Sequence, residues 1–299
     1  MNTRPPLLTV AAALALASCD APTSPPAPEL DPTIVESVAS HRAAGRFSYI
    51  GAGTLYSCGL THDGTAFCWG SNDTGELGTG TSEDSDVPVP VADDHRFRQL
   101  AVGPLHTCGV TTRRTIFCWG NGQFGQLGDG STSSSNVPVR VQSDVRFSSV
   151  AVGELHTCAV SIGDRAFCWG FNGEGELGIG STEMRTQPVP VATGLRFRLL
   201  VAGGGHTCGI TRRGLAYCWG ANTFGELGHE PVGSLVLEPV AVESQRRFST
   251  LSAGSSHTCG ITRNRQLLCW GLNDEGQLGT ESGADLATPT LVAGDARFR

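Results

Sequence analysis

At 299 residues, with 40 glycines and 16% charged residues, the chain has room for one repeat domain and needs no second. The net charge of -7 argues against non-specific nucleic-acid binding, which draws on a basic surface, so no nucleic-acid partner is expected. All 21 basic residues are arginine, which a GC-rich genome explains as well as any function.

Residues 1–18, MNTRPPLLTVAAALALAS, join one cation at Arg4 to an apolar run from Leu7 to Ala17, with small residues before Cys19. The run is too short to span a membrane and reads as an export signal. Leu16-Ala17-Ser18-Cys19 resembles a bacterial lipobox, which implies cleavage before Cys19 and a lipid on its sulfur. An ordinary signal with an incidental cysteine is the alternative. Residues 19–45 then carry the lipid site and a tether, because DAPTSPPAPELD (20–31) cannot bury enough apolar surface to fold. PTIVESVAS (32–40) echoes the Pro-Val run that closes each later repeat and is expected to serve as a blade-closing strand. The expected location is the cell envelope, periplasmic or on the outer surface, with the lipid holding the protein to a membrane.

From residue 46 the chain repeats itself five times, at about 46–95, 96–145, 146–195, 196–246 and 247–296. Cys58, Cys108, Cys158, Cys208 and Cys259 hold one repeat position, and Cys68, Cys118, Cys168, Cys218 and Cys269 hold another. A fixed period near fifty marks a solenoid, propeller or array. In the second repeat, residues 106–111 and 115–119 are β-branched and aromatic around a short loop, the pattern of a hairpin. Closing it near residue 113 sets Cys108 opposite Cys118, Gly109 opposite Phe117 and Val110 opposite Ile116. Sulfur and aliphatics then share one face, and the ring of Phe117 is expected to cover Gly109 on the other. RFRQLAVG and the Pro-Val run supply two more strands. Four short strands per repeat, without helical periodicity, give an all-β propeller blade.

His-Thr-Cys-Gly, Phe-Cys-Trp-Gly, Gly-Gln-Leu-Gly and Pro-Val-x-Val, in that order, resemble the repeat of the regulator of chromosome condensation family over residues 46–299. The resemblance implies a β-propeller, usually of seven blades, and guanine-nucleotide exchange on a small GTPase. Secreted enzyme inhibitors share this propeller type. Departures are the five repeats (five closed blades or part of a longer propeller), Tyr56-Ser57 in place of His-Thr, and the cysteine pairs. None of the family's exchange surface matches here residue by residue.

Behind an export signal, opposed cysteines read as disulfides: Cys58-Cys68, Cys108-Cys118, Cys158-Cys168, Cys208-Cys218 and Cys259-Cys269. The rival reading is zinc held by His106, Cys108 and Cys118, although nine intervening residues are not a common zinc spacing. His106, His156, His206 and His257 recur, which points to buried rings bonded to backbone between blades, since a catalytic group is needed once. The repeated tryptophans point to packing. Arg96, Arg146, Arg196 and Arg247 form either a ring able to hold an anion or salt bridges to Glu76, Glu176 or Glu226, or are simply solvated. Residues 79–87, 129–137, 179–187, 229–238 and 280–288 differ between repeats, and variable loops on a rigid scaffold are where a binding surface is placed. Phe124, Phe171 and Phe224 offer either aromatic anchors for a partner or packing against the next blade. No catalytic constellation, metal motif or cofactor motif stands out. The expectation is a non-catalytic protein, not an enzyme, that binds an unknown protein or glycan partner in the envelope. The alternatives are GTPase regulation, enzyme inhibition, or a hydrolase or lyase site in a central channel.

Overall fold

A computed structural model describes residues 46–294. Twenty strands form five four-stranded antiparallel sheets, each a meander in chain order, over 47–90, 97–140, 147–190, 197–241 and 248–291. Each sheet is one repeat. In sheet 2 the strands are Phe97–Val102, His106–Thr111, Ile116–Gly120 and Ser135–Arg140. Cys108 faces Cys118, Gly109 faces Phe117 and Val110 faces Ile116, as the alternation of side chains requires. The opposed cysteines lie 4.1 Å apart between Cα atoms and are joined as disulfides in all five sheets. Their thiolates are therefore not available as zinc ligands.

The cover over the glycines is not the one the sequence suggests. A Cβ on Gly109 would come within 2.4 Å of the ring of Phe97, so the first strand supplies the lid, not Phe117 across the hairpin. The cause is a bulge between Phe97 and Gln99, which turns the Phe97 ring inward and leaves Arg98 exposed. Phe97 then lies 6.0 Å from the ring of Trp119.

The first strands of successive sheets pack side by side, so they line the axis and the fourth strands form the rim. Between sheets the core is continuous: Cys58, Cys68, Leu77 and Val91 of sheet 1 meet Phe97, Leu100 and Trp119 of sheet 2. Among the described residues the outward side of sheet 1 has no such cover, and Ile50 is 66% exposed. Every sheet draws its fourth strand from its own repeat. The expected blade-closing strand at residues 32–40, the export signal and Cys19 lie outside the described residues.

Candidate functional site

Strand alternation assigns every connection to one of two ends. At one end lie the short joins from first to second strand and the long joins from third to fourth; at the other lie the hairpins and the links to the next sheet.

The long joins are built around Gly-(Glu/Gln)-Leu-Gly. In sheet 3, Glu176 folds back so that its carboxylate accepts the backbone N–H of Glu174, 2.9 Å away. Asn172 donates to the carbonyls of Ser181 and Glu183 and accepts the N–H of Leu177, which fastens the variable stretch to the repeated one. Sequence reasoning passed over this asparagine, although Asn72, Asn222 and Asn273 recur at its position. Gly178, at φ 64°, lets the loop meet Trp219, where a Cβ would come within 2.7 Å of the indole. Burial raises the Glu176 carboxyl to about 7 and also raises that of Glu226.

The Glu176 carbonyl accepts two bonds from sheet 4, from the Trp219 indole and the Thr207 hydroxyl, each at 2.8 Å. With its hydrogen so committed, Thr207 accepts from His156 Nε2 at 2.9 Å. His156 is therefore the neutral Nε2–H tautomer, and its buried Nδ1 has no partner among the described residues. His106 with Thr157 and His206 with Thr258 repeat the arrangement. The rings of His106, His156 and His206 are buried between blades as expected, but they bond to a threonine side chain instead of backbone, and His257, in the last sheet, is only half-buried. Burial lowers His106 and His156 to about 3 and His206 to about 4. In sheet 1, Tyr56 replaces histidine and its hydroxyl meets Gly103 O and Thr107 Oγ1.

The arginines depart from the expected salt bridges. Glu76, Glu176 and Glu226 sit at the end with the long joins and bond to local backbone, whereas Arg96, Arg146, Arg196 and Arg247 sit at the opposite end. Arg96 pairs with Asp63 at 3.7 Å, and Arg247 donates to the Arg213 carbonyl.

This separation of charge is general. The connections at the long-join end (53–55, 71–84, 103–105, 121–134, 153–155, 171–184, 203–205, 222–234, 254–256 and 272–285) hold fifteen carboxylates and no arginine. Those at the hairpin end (62–65, 91–96, 112–115, 141–146, 162–165, 191–196, 212–215, 242–247 and 263–266) hold twelve arginines against six carboxylates.

The variable stretches, Phe124, Phe171 and Phe224 all belong to the carboxylate-rich connections or the strands that follow them. Phe124 and Phe171 meet edge to face at 5.4 Å across sheets 2 and 3 and remain half-buried, which is the expected packing against the next blade. Phe224, also half-buried, is not part of that pair. On the axis a cavity of about 260 Å³ is lined by Val102, Gly103, Val152, Ala202 and their repeats, with Glu154 as its one ionisable side chain among the described residues. That lining of small and apolar residues offers no paired acid and base for a channel hydrolase or lyase.

The family model of the RCC1-like domain matches residues 20–298. This chain belongs to the RCC1-like domain family. Human WBSCR16 superposes on it with a TM-score of 0.76 at 23% identity, over 83% of this chain and 67% of that one. Prp20p of Saccharomyces cerevisiae gives 0.75 at 23% identity, over 87% of this chain and 66% of its own. At that identity the likeness is one of fold, a β-propeller of which five four-stranded blades are present here. The human E3 ubiquitin-protein ligase HERC2 is 32% identical over 62 residues, which cover 21% of this chain and 1% of HERC2. The chain thus spans a small part of that relative's length.

Proposed function

We propose that this RCC1-like propeller is an exported, lipid-anchored, non-catalytic binding protein whose partner docks on the carboxylate-rich end. The observation that carries the reading is the convergence there of all five variable stretches with the half-buried Phe124 and Phe171. Fifteen carboxylates in the same connections select a protein or glycan that presents basic groups. The aromatic pair supplies apolar contact on a framework that the asparagine and tryptophan bonds hold rigid. Five disulfides in the described residues support an oxidising compartment, and the lipobox-like Leu16-Ala17-Ser18-Cys19 supports a lipid anchor there.

The test is a photo-crosslinking amino acid placed at Phe171 or, as the opposite-end control, at Arg165, in protein produced in its own host. A discrete adduct from position 171 and none from 165 is expected. Equal adducts from both positions, or none from 171, would overturn the reading.

A second reading, regulation of a small GTPase, draws on family membership, since Prp20p has binding properties to Gsp1p and histones. Nucleotide release from a purified GTPase, accelerated by this protein in its disulfide form, would favour it over the first.

A further inference from the structure

The arginine-rich end is not used by the reading above, and it has its own structure. Of its twelve arginines, only Arg96 and Arg212 lie within ion-pair distance of a carboxylate among the described residues, Asp63 and Asp164 respectively. None of the other ten has a carboxylate partner there: Arg246 donates to the Gln266 side-chain oxygen and Arg165 lies over the Phe167 ring. The crowding is greatest at sheets 4 and 5, where Arg263 reaches the Arg212 carbonyl and Arg247 the Arg213 carbonyl. Arg198, at the start of sheet 4, donates to the carbonyls of Phe248 and Ser249. Burial and the neighbouring charge of Arg263 hold the Arg198 guanidinium below its ordinary value. So many cations on a chain of net charge -7 repel one another and remain together only because the backbone fixes them.

Beside this cluster lies a cavity of about 350 Å³ between the link 242–247 and the hairpin 263–266. Arg246, Arg247 and Arg263 line it together with Thr262, Asn264 and Gln266. Its lining contains three guanidiniums, amide and hydroxyl donors, no carboxylate and no aromatic ring. Guanidinium forks match the geometry of phosphate oxygens and bind them by paired, charge-assisted bonds. A lining without aromatic rings gives a nucleobase nothing to stack on. The chemistry fits phosphate groups carried close together and read by charge alone.

We propose that this cavity, framed by Arg246, Arg247 and Arg263 at the end opposite the carboxylate-rich one, is a binding site for clustered phosphate groups. The groups could come from a free oligophosphate or from the headgroups of an anionic membrane, and the test separates the two.

Tripolyphosphate is titrated calorimetrically into the full disulfide-bonded protein at low and at physiological salt, alongside orthophosphate and poly-glutamate. Phosphatidylglycerol vesicles are tested by co-sedimentation. The variants are Arg246→Gln with Arg263→Gln, and Arg263→Gln alone should the pair lower the melting temperature. Arg185→Gln, at the other end and paired with Glu183, is the control.

The expected result is saturable tripolyphosphate binding that weakens with salt, falls about tenfold or more per guanidinium removed, and is unchanged in Arg185→Gln. Vesicle binding with the same sensitivity to the variants supports the site and identifies headgroups as a source; its absence beside tripolyphosphate binding leaves the free oligophosphate. No tripolyphosphate binding, equal binding by the arginine variants, orthophosphate as tight as tripolyphosphate, or poly-glutamate as tight as either would overturn the proposal. Because the crosslinking test above concerns the opposite end, either idea can fail without the other.

Discussion

Replacing His156 by glutamine should remove a defined part of the protein's acid sensitivity. Glutamine keeps an N–H near the position of Nε2, so the bond to Thr207 survives, but it does not titrate. The imidazole is buried completely, and burial, aided by the nearby His206 and His106, lowers it to about 3 from an unfolded value of 6.5. Between those values the unfolded chain takes up a proton that the folded chain refuses, so stability falls as pH falls below 6.5 and is fully present above it. At pH 5.0, 1.5 pH units below the unfolded value, the loss at about 1.36 kcal/mol per unit is about 2 kcal/mol for this residue. His106 and His206 add similar losses, about 6 kcal/mol for the three together. Glu176 acts in the opposite sense, since its raised carboxyl is relieved of charge over the same range, returning about 2 kcal/mol between pH 7.5 and 5.0. Comparing the two proteins cancels that contribution. Urea unfolding followed by tryptophan fluorescence, with disulfides intact, should show the variant losing about 2 kcal/mol less than the parent between pH 7.5 and 5.0. Parallel stability profiles would refute the neutral, buried histidine and with it the His-to-Thr bond between blades.

Glu176→Gln should stabilise the protein by about 2 to 3 kcal/mol at pH 8 and hardly at all near pH 4.5, because stability is lost as pH rises from 4.5 through the raised value of about 7. Gln126 and Gln277 already hold the equivalent places, so unfolding at the two pH values checks the sign without a foreign side chain. Under graded reductant with alkylation and peptide mapping, Cys259-Cys269 should open first, because Cys259 is partly exposed whereas the cysteines of the other four pairs are fully buried. Each bridge closes a short loop, worth about 2 to 3 kcal/mol by loop entropy, so stepwise loss of stability should track the mapped order. Cys19→Ala should move the protein from the membrane fraction to the soluble fraction of its host; unchanged membrane association would remove the lipid anchor from the proposal.

The strand register was legible because two patterns agree: side chains alternate, and the cysteines recur ten residues apart around a short loop, which leaves one hairpin geometry. The role of Phe97 was not, because a bulge in the first strand breaks the alternation, and no residue in RFRQLAV marks it. The histidine's partner was half legible. Thr always follows His in repeats two to five, but the bond joins the histidines of repeats two to four to the threonine of the next repeat, 51 or 52 positions on. Tyr56 carried the same signal in disguise, since a longer side chain reaches the same neighbouring threonine, Thr107. The ends of opposite charge were hidden altogether. Arginine and carboxylate alternate along the chain every ten to twenty residues, and only the meander topology sorts hairpins to one end and long joins to the other. A net charge of -7 is the sum of two ends of opposite sign and describes neither.

The two ends can act separately only if their charges do not cancel. A strand of five or six residues places them about 17 to 20 Å apart. At physiological ionic strength exposed charges are screened over about 8 Å, so each end presents its own field to an approaching partner. The disulfides lie between, joining the second and third strands of every blade at mid-length, and stiffen the layer that keeps the ends apart. Independence follows: Phe171→Ala should weaken the partner at the carboxylate end without touching tripolyphosphate binding, and Arg263→Gln should do the reverse. The free-energy effects of the two substitutions should add in the double variant to within about 0.5 kcal/mol. A larger coupling would mean that the blades transmit between their ends, which five rigid bridges and the hydrogen-bonded Trp-Thr-His seam give them little freedom to do.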